Sequence, residues 1–439
     1  MKPMKNIKNL ILAALAAGTV ASASAVTTTY ISGSTAFRSA ANIAITQFAS
    51  NNYGALVAWD NATTASAGNI LCTWKTSVGS TTTNFINVHW NGSEAGIQSA
   101  AGPTSGSNAK TVGFLPTNST GLVSSSTATN YNVSSACFSD TYQSTSIFHG
   151  TVNGVTYSSL SAPANTTDGV LGVVAFNWVA SVGFPATNMT AQLANYLLAG
   201  GNIPLAMFTG NSNDAVSGIW LLGRNIDSGT RLTTLAESAF GTTAPVIQYA
   251  VGTNYTMANG VATITGSTVT NNIFQYPIET INGVSSTFVG NSGYGSGGTL
   301  CGFMTNTYAT GANFKTGTNG TQPSGYTGSN FLVGYAGTSD ANGKTNSNSA
   351  VSLVKLNWNG VANTTTAIAQ GQYTFWGYEH LYLGASAVAD DRTVCLGVST
   401  IIQNTPTTGG SPVSLTPNVN LNDMVVGRSV DGGIVFPNY

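Results

Sequence analysis

The sequence predicts an α/β protein in which mixed sheets are flanked by helices and carry β-hairpin insertions, because one local plan recurs three times. Each copy is a short apolar or β-branched run, a loop bearing Gly and hydroxyl residues, and a stretch with apolar residues at helical spacing. The first runs from Thr27 to Ile31, through Gly33-Ser34-Thr35-Ala36-Phe37, into Ala40, Ala41, Ala44, Ile45 and Phe48. The second is Phe85 to Trp90, then Asn91-Gly92-Ser93, then a short helix from Glu94 carrying Ile97 and Ala100. The third is Gly218 to Leu222, the loop Gly223 to Arg231 (GRNIDSGTR), and Leu232, Leu235, Ala236 and Ala239. Strand, loop and helix in this alternation argue for layered α/β structure over an all-β sandwich.

At the N-terminus, Lys2, Lys5 and Lys8 precede an apolar run from Leu10 to Val20 and the small residues Ala21 to Ala25. That is the pattern of a secretory signal peptide over 1–25, cut after Ala25. No cysteine sits there to carry a lipid, and no later run is long enough to span a bilayer. The expectation is a periplasmic or secreted protein with no direct membrane insertion. About 400 mature residues exceed what one core usually holds, so two lobes are expected.

Further along, 103–135 and 304–329 are rich in Gly, Ser, Thr and Asn and read as surface loops. Cys137-Phe138-Ser139-Asp140 is followed by an apolar run from Val170 to Ala180. Thr190 caps a helix containing Leu193, Tyr196, Leu197 and Leu198, closed by Gly200-Gly201, and Ile203 to Phe208 reads as a strand. Between Pro245 and Val289, alternating Val, Ile, Tyr and Thr with Asn-Gly pairs at 259/260 and 282/283 predict inserted hairpins. Phe331 to Tyr335, Val351 to Leu356 and Tyr373 to Leu383 read as strands returning to the sheets.

Charge is scarce. Without residues 1–25 the chain keeps ten basic and fourteen acidic residues, so it has no basic stripe for nucleic acid or an anionic membrane. Scarcity makes position informative: of five arginines, Arg38, Arg224 and Arg231 fall in or beside the hydroxyl loops. The cysteines, Cys72, Cys137, Cys301 and Cys395, show no metal-type pairing, and in an oxidising compartment they allow up to two disulfides. His89, His149 and His380 are scattered and read as hydrogen-bonded or surface imidazoles, so no metal or other cofactor is expected. An enzyme with Ser34, Ser93 or Ser228 as nucleophile lacks a His or Lys in any motif to act as base. Gly293, Gly295 and Gly298 form a dinucleotide-like pattern without its acidic partner and read as a glycine-rich connection. Gly337 with Gly343-Lys344-Thr345 departs from P-loop spacing.

The loop at Arg224 has the makings of an anion site. The first N–H groups of a helix lack intrahelical partners, and the helix dipole favours negative charge there. Ser228 and Thr230 add hydroxyl donors, Gly229 admits close backbone approach, and the Arg224 fork matches two oxygens of a tetrahedral oxyanion. An ordinary N-cap beside a surface arginine is the competing reading.

In sum of its motifs the chain resembles the periplasmic substrate-binding protein family of the phosphate ABC transporter. The motifs are the Gly/Ser/Thr loop ending in Phe37, the Gly92-Ser93 loop before a helix, Ser139-Asp140, and Arg224 with Ser228-Gly229-Thr230 four residues on. The resemblance implies a two-lobed periplasmic binding protein fold of type 2, with lobe I at 26–177 plus 373–439 and lobe II at 178–372. Val170 to Ala180 and Tyr373 to Leu383 would be the hinge strands. It implies a monomer that binds inorganic phosphate between the lobes and delivers it to ABC permease subunits. The implied ligand set is Ser34 or Thr35, the Phe37 backbone N–H, Ser93, Asp140 facing the phosphate proton, Arg224, Ser228, Gly229 and Thr230. Three departures stand out: the first loop reads GSTAF, leaving Ser34, Thr35 and the Ala36 backbone as alternatives; Glu94 puts a carboxylate beside the second loop; and Asp227 directly precedes the serine, where it would pair with Arg224. The alternatives are a binder of another tetrahedral oxyanion and an extracellular structural or adhesive protein on the same fold.

Overall fold

The computed structural model describes residues 26–60, 63–117, 127–252, 254–258, 261–265, 272–305, 315–316, 326–344, 352–403 and 415–438. The predicted signal peptide and the Asn259-Gly260 pair lie outside the described residues.

In chain order the elements that build the site are β1 (Thr28–Gly33), α1 (Arg38–Asn51), β2 (Asn69–Trp74), β3 (Asn84–His89), α2 (Ser93–Ala101), β4 (Ala136–Ser139) and β5 (Val170–Ala180). They continue with α3 (Ala191–Gly200), β6 (Asn202–Pro204), β7 (Gly218–Leu222), α4 (Gly229–Glu237), β8 (Tyr249–Val251), α5 (Gly297–Met304), β9 (Asn330–Gly337), α6 (Thr338–Asn342), β10 (Val354–Trp358), β11 (Trp376–Leu383) and α7 (Ala389–Gln403). One large mixed sheet takes in most of the strands, in the order β2-β3-β1-β4-β11-β5-β9-β7-β8 through its centre. Helices flank it, so the fold is mixed α/β.

Strand β5 organises the sheet. Its eleven residues are apolar apart from Asn177, and ten are buried, as in a strand covered on both faces. Residues Val170 to Ala175 pair with β11, and Phe176 to Ala180 pair with β9, both antiparallel. Its first part therefore belongs to one half of the sheet and its second part to the other. In the first half β1, β3 and β4 are parallel to one another. In the second half β7 and β9 are parallel to each other and run opposite to β5. Both sets of carboxyl ends thus point at the middle of β5, where Gly337 sits opposite Phe176 and Trp376 opposite Ala175. Loops leaving the carboxyl ends of parallel strands are where open α/β sheets bind ligands.

Local signals account for most elements. Helix α1 buries Ala40, Ala41, Ala44, Ile45 and Phe48, the face read from the sequence. Thr190 caps α3 by accepting from the Leu193 N–H, and Gly201 closes it in the left-handed region at φ 69°. Thr280–Ile281 and Val284–Ser285 form a hairpin whose turn residues Asn282 and Gly283 have φ of 54° and 75°, as an Asn-Gly type I′ turn requires. Elsewhere tertiary context overrides the pattern. The expected strand Ile203 to Phe208 is only the short β6, followed by a helical turn at Ala206–Thr209. Pro204 cannot donate to a ladder, and Gly210 closes the turn at φ 70°. The expected strand at Val351 to Leu356 lies further on, at Val354–Trp358.

Cysteine chemistry differs from expectation. All four cysteines are free and buried, on β2, β4, α5 and α7. Cys301 lies on a helix packed against the second half of the sheet, while Cys72 and Cys137 lie on strands of the first half and Cys395 on a helix packed there, so the set is not arranged as two bridges. Burial pushes the Cys72 and Cys301 thiols up to about 12, which suppresses the thiolate needed for exchange. We expect four reactive thiols in denatured protein that has never met a reductant; a count of zero or two would overturn this assignment.

Among the described residues no helix is long and apolar enough to cross a membrane, and no group of three metal-ligating side chains occurs. His89 bonds to Asn69, His380 to the Asp168 carbonyl, and His149 is exposed.

Candidate functional site

The first wall is built by β1 and β4. Gly33 has φ +128°, and a Cβ there would fall 1.9 Å from the Phe138 carbonyl oxygen, so only glycine lets the chain turn this closely. The Ser34 N–H then donates to that carbonyl at 2.9 Å, which fixes the loop on β4. Ser34 is fully buried and its hydroxyl has no hydrogen-bond partner among the described residues, whereas Thr35 lines an open hollow with Arg38, Ser339 and Asn418. The Phe37 ring enters the core against Phe138, with centroids 6.3 Å apart, and anchors the start of α1.

Three residues predicted from distant loops meet at the next point. Ser93, first residue of α2, accepts from the Asp140 N–H at 3.3 Å. A Cβ on Gly229 would stand 1.7 Å from Asp140 Oδ1 and 2.8 Å from the Ser93 Cβ. Glycine is what allows α4 to approach the carboxyl. Asp140 is buried and, among the described residues, its Oδ1 has no hydrogen-bond partner. Burial pushes its carboxyl up to about 6, opposed by the Ser93 hydroxyl and the Arg224 charge.

Arg224 faces this group from the carboxyl end of β7. Its guanidinium is buried, not a surface group, with Nε donating to the Tyr294 carbonyl at 3.0 Å and Nη2 to that of Gly295 at 3.1 Å. Nη1 lies beside Gly297, 3.4 Å from where a Cβ would be, while Asp340 Oδ2 would be 2.2 Å from the same Cβ. Burial lowers the Arg224 pKa, and among neighbouring charges Asp340 does most to raise it. Guanidinium remains charged regardless. The glycine-rich connection before α5 is thus part of the wall, supplying two carbonyls that orient the fork.

Several assignments change. Asp227 does not pair with Arg224; its carboxylate bonds Lys110 at 3.2 Å and its backbone carbonyl accepts from Glu94 and Ala95 N–H. Those two donors at the start of α2 are therefore occupied by the chain itself. Glu94 accepts from the Thr141 and Ser146 hydroxyls. Arg231 is a brace: its guanidinium donates to the carbonyls of Arg224, Asn291 and Val289. Ser228 caps α4 by accepting from the Arg231 N–H at 3.3 Å, which leaves its own hydroxyl hydrogen as a donor. Thr230 is buried and its carbonyl accepts from Thr234.

Sequence reading missed Asp340 and Glu379. Asp340 lies on α6, whose first residue Thr338 is tied to the middle of β5 by a bond from its hydroxyl to the Ala175 carbonyl. Glu379 is a carboxyl inside the otherwise apolar and aromatic run Trp376 to Leu383. A charge in a fully buried strand was the available signal.

Buried carboxyls give the molecule an unusual pH response. Burial pushes Glu94 up to about 8, against the Ser146 and Thr141 hydroxyls, and Asp431 up to about 7. Groups raised above their unfolded values hold protons in the folded state, so their contribution is full at low pH and is lost as pH rises through the folded pKa. Burial pushes His380 down to about 4, and it acts oppositely, adding stability as pH rises to the ordinary histidine value of about 6.5. Above that value the raised carboxyls carry the slope, and the raised thiols add to it in the same direction toward higher pH. The melting temperature should therefore fall between about pH 6.5 and about pH 8.5, with Glu94→Gln flattening the slope; a level or rising profile in the parent contradicts the burial argument.

No family model and no curated protein matches the sequence. Solved structures do. This chain is similar to phosphate-transport binding proteins. A putative phosphate ABC transporter substrate-binding protein with bound phosphate from Clostridium perfringens is 11% identical, with 90% of this chain and 99% of that chain covered and a TM-score of 0.41. An ABC-type phosphate transport receptor from Vibrio cholerae is 10% identical, with 85% and 93% covered and a TM-score of 0.37. A phosphate-binding protein from Stenotrophomonas maltophilia is 15% identical, with 76% and 84% covered and a TM-score of 0.33.

Proposed function

We propose that the chain is a non-catalytic, extracytoplasmic solute-binding protein for inorganic phosphate. One observation carries the proposal: buried Asp140, with an unpartnered Oδ1, lies against Gly229 and Ser93 within electrostatic reach of the buried Arg224 fork. A buried acceptor left unsatisfied costs about 1–3 kcal/mol. A carboxyl beside an anion site offsets that cost when the anion brings a hydrogen. Arg224 matches the oxygens of a tetrahedral oxyanion, Asp140 its proton, and Ser34, Ser93, Ser228 and Thr230 offer neutral donors. The Phe37 and Gly229 backbones complete the proposed set.

The same reading divides the chain into lobe I, 26–177 plus 373–439, and lobe II, 178–372, closing about β5 and β11. It places the protein as a monomer in the periplasm or outside the cell, serving an ABC permease. Calorimetric titration with phosphate, arsenate and sulfate tests the ligand. Heat with phosphate and arsenate but not sulfate is expected; absence of any heat with phosphate rejects the proposal.

A further inference from the structure

Asp140 is not the only carboxyl at the junction of the two half-sheets. Glu379 lies in the middle of β11, opposite Gly172 of β5, and the pairing of His380 with Ser139 sets it beside Asp140. It is fully buried, and neither carboxyl oxygen has a hydrogen-bond partner among the described residues. The strand alternation separates it from the aromatic side of β11. Tyr378, His380 and Tyr382 gather on that side, with Tyr142 packed on the first two. Ser34 is near enough to favour the ionised form of Glu379 somewhat, yet no hydrogen bond of proper geometry joins them, and the Ser34 hydroxyl is also unpartnered. Three buried polar groups, two just past the ends of β1 and β4 and one in mid-strand on β11, are thus unsatisfied together among the described residues: Ser34 Oγ, Asp140 Oδ1 and both Glu379 oxygens. Core packing does not explain such a cluster, since each group would cost less as an apolar residue.

We infer that Glu379 is a second ligand-facing acid of this site, acting as a neutral carboxylic acid whose O–H donates to an oxygen of the bound oxyanion. The inference rests on the phosphate reading above and adds a specificity-determining residue to it. An ionised Glu379 would set two carboxylates and an anion together in a dry junction, a repulsion that Arg224 alone cannot balance. A neutral one offers a donor for the ligand and an acceptor for Ser34 or for a second ligand proton. Burial, then the Asp140 charge, holds its carboxyl well above the ordinary range. The other titratable neighbours are Cys137 on β4, a neutral thiol, and Glu94 and Asp431, whose own carboxyls the Asp140 charge helps to raise. Asp140 and Glu379 then divide the work as acceptor and donor, suiting an ion that carries both hydrogens and bare oxygens.

Phosphate titrations and phosphate-induced infrared difference spectra of the parent, Glu379→Gln and Glu379→Ala test this. In the parent, phosphate should produce a difference band in the C=O region of protonated carboxyls. Glu379→Gln keeps a neutral donor, so it should bind phosphate within a few-fold of the parent and lack that band. Glu379→Ala removes the donor and should weaken binding about 10- to 100-fold. Unchanged phosphate affinity in a folded Glu379→Ala, or the same band in Glu379→Gln, overturns the inference while leaving phosphate binding intact. If Glu379→Ala does not fold, the band in Glu379→Gln decides alone. A parent that binds no phosphate rejects the underlying reading and this inference with it.

Discussion

Arg224→Ala is expected to abolish measurable phosphate binding. The guanidinium is buried and already oriented by the Tyr294 and Gly295 carbonyls, so the ligand does not have to order it. Removing one member of a buried, hydrogen-bonded charge pair costs about 3–5 kcal/mol, roughly a hundred- to several-thousand-fold in affinity. Arg224→Lys should fare little better, because an ammonium cannot reach both backbone carbonyls and two ligand oxygens from one plane. Asp340 gives a control on orientation: as the charge that most raises Arg224, its replacement by Asn should weaken binding less than Arg224→Ala. Calorimetry on the three variants checks the order, and an Arg224→Ala protein that titrates like the parent removes the anion site from β7.

Asp140 should decide between phosphate and sulfate. Its Oδ1 can only accept when ionised, and among the described residues nothing donates to it. Monobasic and dibasic phosphate bring a hydrogen to that position; fully ionised sulfate brings a lone pair against a carboxylate. Sites that hydrogen-bond a ligand group reject the analogue lacking it by on the order of 10⁴ to 10⁵. Asp140→Asn should narrow the ratio, since its amide can present a donor to sulfate. Competitive titration of parent and variant reads this directly, and a parent that binds both ions equally rules the role out. The Asp140 carboxyl, raised to about 6 by burial, also implies that phosphate exclusion of sulfate sharpens as pH rises above that value and Asp140 becomes wholly an acceptor.

What the sequence determined by itself was local. The strand–loop–helix units, the apolar face of α1, the Thr190 cap and the Asn282-Gly283 turn follow from side-chain periodicity and from φ preferences, which act within a few residues. So does the presence of hydroxyl and arginine loops at strand ends. Which charges those loops would bring together was not local. Asp227, three residues from Arg224, bonds Lys110 instead, while Asp340, more than a hundred residues away, lies beside the guanidinium. Glu94 follows Ser93 in the chain yet turns to Thr141 and Ser146, and Glu379 arrives at Asp140 only through the register of β11 on β4. Two opposed sets of parallel strands meeting at the centre of β5 fix those distances. Electrostatic pairing depends on separation in space and on desolvation, and neither is written in the spacing of residues along the chain.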